Sequence, residues 1–158
     1  MTDAPNRIPW PPLLFLAAIV IALILHWQAA LPWPGGVAMF ILAAIGLCMV
    51  FTGLLLDVAA FRLFRKHRTS ILPTRSASRL IVEGPFAMSR NPIYLGNTLA
   101  IFGAGLLFGV AWLLPAALAA AYAVQKLAIE REEVHLGASF GSSWRDYVAR
   151  TPRWLWRV

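Results

Sequence analysis

Long apolar runs, broken by short polar clusters, set the pattern of this chain. A helix that crosses a bilayer core needs about 20 apolar residues. Leu13 to Ala30 holds no Asp, Glu, Lys or Arg and follows Pro11-Pro12, a suitable helix entry. His26, Trp27 and Gln28 close that run, and Trp27 and Trp33 suit the aromatic belt at the membrane interface. Pro32, Pro34, Gly35 and Gly36 predict a tight turn. A second run spans Val37 to Phe61, with Asp57 as its one charge. From Ile93 to Gln125 the chain is again uncharged, too long for one span at about 1.5 Å per residue. Trp112 and Pro115 mark a break in it, which predicts two helices, Pro92 to Phe108 and Leu114 to Leu136. The last is expected to leave the membrane near Gln125 and Lys126 and to continue as a polar helix, followed by an amphipathic tail from Gly137 to Val158. Gly105-x-x-x-Gly109 reads as a close-packing motif between membrane helices.

Composition supports a membrane protein and excludes several other classes. Of 158 residues, 59% are hydrophobic and 13% charged, whereas a soluble domain carries about a quarter charged residues. A disordered chain lacks such apolar content. The single cysteine, Cys48, excludes a disulfide framework and a cysteine-based zinc cluster. The length suits one domain over 1–158, divided into an N-terminal hairpin (1–61) and a second half (62–158).

The net charge is +7, yet little solvated surface exists to make a nucleic-acid-binding face. All 14 lysines and arginines fall in the N-terminus, in Arg62 to Arg90, and in the part from Lys126 onward. The turns on the opposite side have none. By the positive-inside rule this predicts an all-α polytopic membrane protein of about four spans, with both termini and a C-terminal helical extension in the cytosol. In a bacterium the membrane would be the inner one. A cleaved leader is the weaker reading of the N-terminus, because its apolar run is longer than usual for one.

Polar residues cluster in two places that could carry chemistry. The first is Glu83 to Gly96. Asn91-Pro92 is a helix start, with a favoured N-cap and a favoured first residue. Its first turn offers free N–H groups and a positive dipole end, and Arg90 beside it can fork onto a carboxylate or phosphate. Tyr94 and Asn97 lie one turn in, Gly84-Pro85 sets a turn before, and Gly96 permits close approach. The same residues also suit a capped helix whose arginine snorkels to headgroups. The second cluster is Glu130-Arg-Glu-Glu-Val-His135. Carboxylates so close to an apolar span are costly unless paired or useful. Glu132 and Glu133 point about 100° apart on a helix, so one of the two at most is expected to face a given pocket squarely. A solvated face with local ion pairs is the plainer alternative.

Taken together, an arginine, a helix N-terminus and a glutamate match the carboxylate, ammonium and ribose hydroxyls of S-adenosylmethionine, and Tyr94 and Phe86 could line its adenine or face a cation. Methyl transfer needs mostly positioning for in-line attack. No metal is expected: His26, His67 and His135 are scattered.

The residues carry a resemblance. Leu80-Ile-Val-Glu-Gly-Pro-Phe-Ala-Met-Ser-Arg-Asn-Pro-Ile-Tyr-Leu-Gly96, then Glu132-Glu133-x-x-Leu136, Phe140-Gly141, Trp144, Tyr147 and Pro152, resemble the isoprenylcysteine carboxyl methyltransferase family, itself similar to the phospholipid methyltransferases. That family's pattern is Gly-Pro-Tyr, Arg-His-Pro-x-Tyr-x-Gly, then Glu-Glu-x-x-Leu-x-x-x-Phe-Gly-x-x-Tyr-x-x-Tyr. The resemblance covers the C-terminal half. It implies that Val82, Gly84, Pro85, Arg90, Asn91, Pro92, Tyr94 and Gly96 line an S-adenosylmethionine pocket, completed by Glu132 and Glu133. Arg90, Asn91 and Glu132 would then be the catalytic set, and a lipophilic or prenylated acceptor would enter laterally from the membrane lipids. Asn91 stands where the family often has His, and Asn cannot carry a proton near neutral pH. Phe86 and Trp144 stand for tyrosines. With no clear base, an acceptor carboxylate fits better than a phospholipid amine, which must be neutral to attack. The competing readings are a phospholipid N-methyltransferase, an NADPH-dependent membrane reductase of the sterol reductase kind, and a membrane scaffold without enzyme activity.

Overall fold

A computed structural model describes residues 10–68 and 79–155. Arg7, Arg75 and Arg157, part of the charge pattern above, lie outside the described residues. Six helices run in order: α1 Trp10–Gln28, α2 Gly36–Lys66, α3 Pro85–Met88, α4 Pro92–Phe108, α5 Leu113–Val124 and α6 Glu130–Arg150. A π-helical turn, Gln125–Ile129, joins α5 to α6. Among the described residues no strand forms. Among the described residues three helical stretches are long and apolar enough to cross a membrane, α1, α2 and Leu113–Arg150, and α4 is a shorter apolar helix. The protein is an all-helical polytopic membrane protein.

The helices follow from local chemistry. Pro11 and Pro12 sit in the first turn of α1, where a missing N–H costs nothing. The 31 residues of α2 make a rod of about 46 Å at about 1.5 Å per residue. That exceeds the expected end at Phe61 by more than a turn. Arg65 and Lys66 occupy the added last turn, where cations meet the negative end of the helix dipole. Helix α4 has the predicted bounds, starting at Pro92 and ending at Gly109 in the left-handed conformation (φ 69°).

The packing seam differs from the one expected. Gly46 and Gly53 of α2 face Gly103 and Gly96 of α4, in antiparallel order. A Cβ on Gly46 would lie 2.5 Å from the Gly103 carbonyl oxygen, and one on Gly53 would lie 2.5 Å from that of Gly96. The backbones therefore touch, which only glycines allow. Each pair is seven residues apart, the spacing that keeps one stripe facing a neighbour. Gly105, expected at a close contact between helices, lies under Leu113 and Leu114 at the start of α5, and Gly109 abuts Trp33.

Helix α1 packs on α5 through Phe15, Ala22, Ala117, Ala120 and Val124. Small residues let these two helices approach closely, and the Trp112 indole N–H donates to the Ala29 carbonyl (2.8 Å) across their ends. A second cluster, Ala60, Ile81 and Phe86, seals the opposite end of α2 against α3. The expected fourth span, Leu114 to Leu136, is part of a longer path. The chain stays helical to Arg150, offset by the π turn and bent at Gly141 (φ 53°, ψ −117°). The residues from Thr151 to Leu155 then turn back as a non-helical strap.

Candidate functional site

The site grows from one short segment between α3 and α4. Gly84 takes a positive φ (61°) before Pro85 opens α3. Four residues later the chain leaves that helix at Ser89, which is extended and fully buried. The Ser89 hydroxyl donates to the Arg153 carbonyl (3.1 Å) and accepts from the Asn91 N–H (3.1 Å). Asn91 is the N-cap residue of α4, as expected, but its side chain makes no cap bond. Its Nδ2 donates instead to the Arg153 carbonyl (3.1 Å). The Arg90 N–H donates to the Pro152 carbonyl (2.9 Å). Thr151 Oγ1 bonds the Ala87 carbonyl, and the Tyr147 hydroxyl donates to that of Phe86 (2.7 Å). The last turns of α6 and the strap after it are thus stitched along the Phe86–Asn91 segment.

Side chains from α4, this segment and α6 meet here. The Tyr94 hydroxyl donates to Glu132 Oε1 at 3.0 Å. Arg90 Nη1 lies 2.9 Å from Glu133 Oε1. Arg153 takes the same carboxylate bidentately, Nε to Oε1 at 2.9 Å and Nη2 to Oε2 at 2.6 Å. The Arg90 guanidinium also sits 5.7 Å from the centre of the Trp144 ring, within cation–π range. The two neighbouring glutamates face different partners, Glu132 the Tyr94 hydroxyl and Glu133 the two guanidiniums, in keeping with the expectation that they would not share one pocket squarely. Their roughly 100° divergence is used, not lost: Glu132 points to α4 and Glu133 to the two arginines.

The electrostatics follow from burial and pairing. Arg90 is 11% exposed. Burial lowers its pKa, the Glu133 charge opposes that effect, and the guanidinium remains a cation. The hydrogen bond that Arg153 donates to Glu133 raises the pKa of Arg153. Arg90 Nε is buried and has no hydrogen-bond partner among the described residues. A buried donor without a partner is costly, so this edge is suited to an acceptor that the described residues do not supply.

Of the residues expected at the site, the structure brings together Arg90, Asn91, Tyr94, Glu132 and Glu133. Pro92 is fully buried as the first residue of α4. Gly84 and Pro85 shape the turn that leads into α3, and Val82 is 48% exposed. Gly96 turns toward α2, where a Cβ would lie 2.6 Å from Asp57 Oδ1. Phe86, offered above to an adenine, is buried against Phe64 with edge-to-face rings 5.5 Å apart. Glu83 is drawn to the end of α2 by Lys66 Nζ (2.9 Å) and His67 Nε2 (2.8 Å). Ser89 and Arg153 escaped the sequence reading. Arg153 sits 20 residues from Glu133, and no periodicity links them.

The two chemical clusters and the spans that carry them coincide with a known sequence pattern. A model of the phospholipid methyltransferase family matches residues 41–143, from the first third of α2 into α6. The chain belongs to the phospholipid methyltransferase family. This family contains the isoprenylcysteine carboxyl methyltransferases, so the resemblance drawn from Leu80–Gly96 and Glu132–Pro152 holds. Two curated relatives match about half of the chain. The nickel-cobalt-cadmium resistance protein NccN of Alcaligenes xylosoxydans xylosoxydans is 34% identical over 84 residues, which is 53% of this chain and 39% of that protein. The cobalt-zinc-cadmium resistance protein CzcN of Cupriavidus metallidurans is 32% identical over 84 residues, 53% of this chain and 38% of that protein. The chain spans about two fifths of the length of these relatives. Among the described residues no group of three or more His, Cys, Asp or Glu is placed to hold a metal ion.

Proposed function

We propose that the chain transfers a methyl group from S-adenosylmethionine to a lipophilic acceptor at the membrane face. The observation that carries this reading is the junction of α4 and α6 through Tyr94–Glu132 and Arg90–Glu133. When bound, S-adenosylmethionine supplies a methyl group activated by a sulfonium, and transfer leaves a neutral thioether. Arg90 would hold its carboxylate, and the partnerless Nε is the donor that fits this task. Glu132 and Glu133 would accept hydrogen bonds from its ammonium or ribose hydroxyls. The first turn of α4, beginning at Pro92, adds the positive end of a helix dipole on the same side. These residues bind and orient, and alignment for in-line attack is the main catalytic demand.

Acceptor chemistry turns on Asn91, which stands where the family often has His. Asn91 has no titratable group, and its Nδ2 is held by the Arg153 carbonyl. An acceptor carboxylate is already ionised above its own pKa, so it can attack without a base. We therefore favour a carboxylate of the isoprenylcysteine type, with a phospholipid amine as the alternative. The charge pattern favours a cytosolic site and cytosolic termini, in the inner membrane of a bacterium.

Isothermal titration of the purified chain in detergent tests the reading. S-adenosylmethionine and its demethylated product are expected to bind, and NADPH is not. Tight NADPH binding with none for the sulfonium nucleoside would move the chain to the reductase class. Methyl transfer from labelled cofactor into a lipid extract would then identify the acceptor.

A further inference from the structure

Two guanidiniums, Arg90 and Arg153, share one carboxylate, Glu133. The nearby Glu132 is engaged by Tyr94, and Glu130 is paired with Lys126 at 2.6 Å. Arg90, Arg153 and Glu133 by themselves therefore sum to one positive charge, with Glu132 a neighbouring carboxylate turned toward α4, in a partly buried place where charge interactions are stronger than in open water. The division of contacts is unequal. Arg153 occupies both oxygens of Glu133, while Arg90 reaches one of them through a single Nη and keeps a buried Nε without a partner.

Arg153 is itself fixed. Its carbonyl accepts from Ser89 and Asn91, and Trp154 beside it donates its indole N–H to Gln125 Oε1 (2.8 Å) on the π turn. The strap thus bridges the start of α4 and the start of α6. It lies beyond the family-matched residues 41–143, so nothing in that match assigns it a role.

We propose that Arg153 is a positioning residue that takes up Glu133 and so leaves the Nε edge of Arg90 to bind the carboxylate of an incoming amino-acid-bearing nucleoside. Without Arg153, Glu133 turns its full charge on Arg90, the surplus charge disappears and the anion site closes. This inference rests on the cofactor reading above and adds a residue to it.

The test compares S-adenosylmethionine with its decarboxylated form, which keeps the ammonium and the sulfonium. Titration of the full chain in detergent yields the ratio of the two dissociation constants. The wild type is expected to prefer the carboxylate-bearing ligand. Arg153→Ala is expected to reduce that preference about tenfold or more, the scale of a hydrogen bond to a charged group. The double variant Arg153→Ala/Glu133→Gln is expected to recover most of it, because the surplus charge returns. Arg153→Gln reads the same ratio should the alanine variant not fold by circular dichroism and gel filtration. Equal weakening of both ligands, or no recovery in the double variant, would show that Arg153 only holds the strap and would overturn the proposal. Failure of the wild type to bind either ligand would instead remove the cofactor reading itself.

Discussion

The Tyr94 hydroxyl and the Glu132 carboxylate lie 3.0 Å apart across 38 residues of chain. Their bond fastens the first turn of α4 to the first turn of α6. Both residues are well shielded, so neither partner is readily satisfied by water once the other is gone. Tyr94→Phe is expected to cost about 1–3 kcal/mol of stability through the stranded carboxylate. Thermal unfolding in detergent checks this, and a melting temperature equal to wild type would rule out a structural bond.

Arg90→Ala and Glu132→Ala are expected to weaken S-adenosylmethionine binding by about ten- to a hundredfold, the range for losing a charged hydrogen bond. The helical circular dichroism should stay as in the wild type. Binding unchanged in both variants would favour a scaffold without enzyme activity.

The glycine seam makes a sharp contrast. A Cβ on Gly53 meets the Gly96 carbonyl oxygen at 2.5 Å, whereas one on Gly35 meets nothing within 4 Å. Gly53→Ala should therefore force α2 away from α4, at a cost of about 1–3 kcal/mol or more for overpacking. Gly35→Ala should be near neutral. Fluorescence-detected gel filtration after heating separates the two, and equal melting curves would contradict the seam.

Acid should loosen the end of α2. Hydrogen bonds from His67 and Lys66, and then the Lys66 charge, lower the pKa of Glu83 below its ordinary 4.5. A carboxyl with a depressed folded pKa contributes stability that is present above the unfolded value and is lost as pH falls through the folded one. The contribution is therefore full near neutrality and fades below about pH 4.5. Glu83→Gln should flatten that acid limb in a pH series of melting curves, and an unchanged limb would mean that the pair carries no weight.

The charge distribution makes a prediction about orientation. With Cys48, the one cysteine, replaced by Ser, single cysteines are introduced as Gly35→Cys and Ser143→Cys. An impermeant maleimide added to intact cells should label the first and not the second. Labelling of both from outside, or the reverse order, would invert the proposed topology.

Several elements were legible in the chain itself. The bounds of α4 follow from Asn91-Pro92 and Gly109, because Pro favours a first turn and Gly a left-handed exit. The two chemical clusters were legible because charged side chains beside apolar spans are rare unless they are used. The packing glycines were only partly legible. Gly105 does pack tightly, against Leu113 and Leu114 of α5, while the closer backbone contact uses a seven-residue interval on each of α2 and α4. A glycine shows no preference for a neighbour until that neighbour is in place.

The sequence alone determined the membrane class, most helix positions and the two polar clusters beside the apolar spans, since hydropathy, caps and charge act locally along the chain. Only the tertiary structure decided who pairs with whom. Glu132 meets Tyr94, Glu133 meets Arg90 and Arg153, and the strap closes over Ser89 and Asn91. Such pairings depend on which faces the packed helices turn toward each other. That rotation is set by backbone contact at the α2–α4 seam and by the offset of the π turn, and neither is written in any local run of residues.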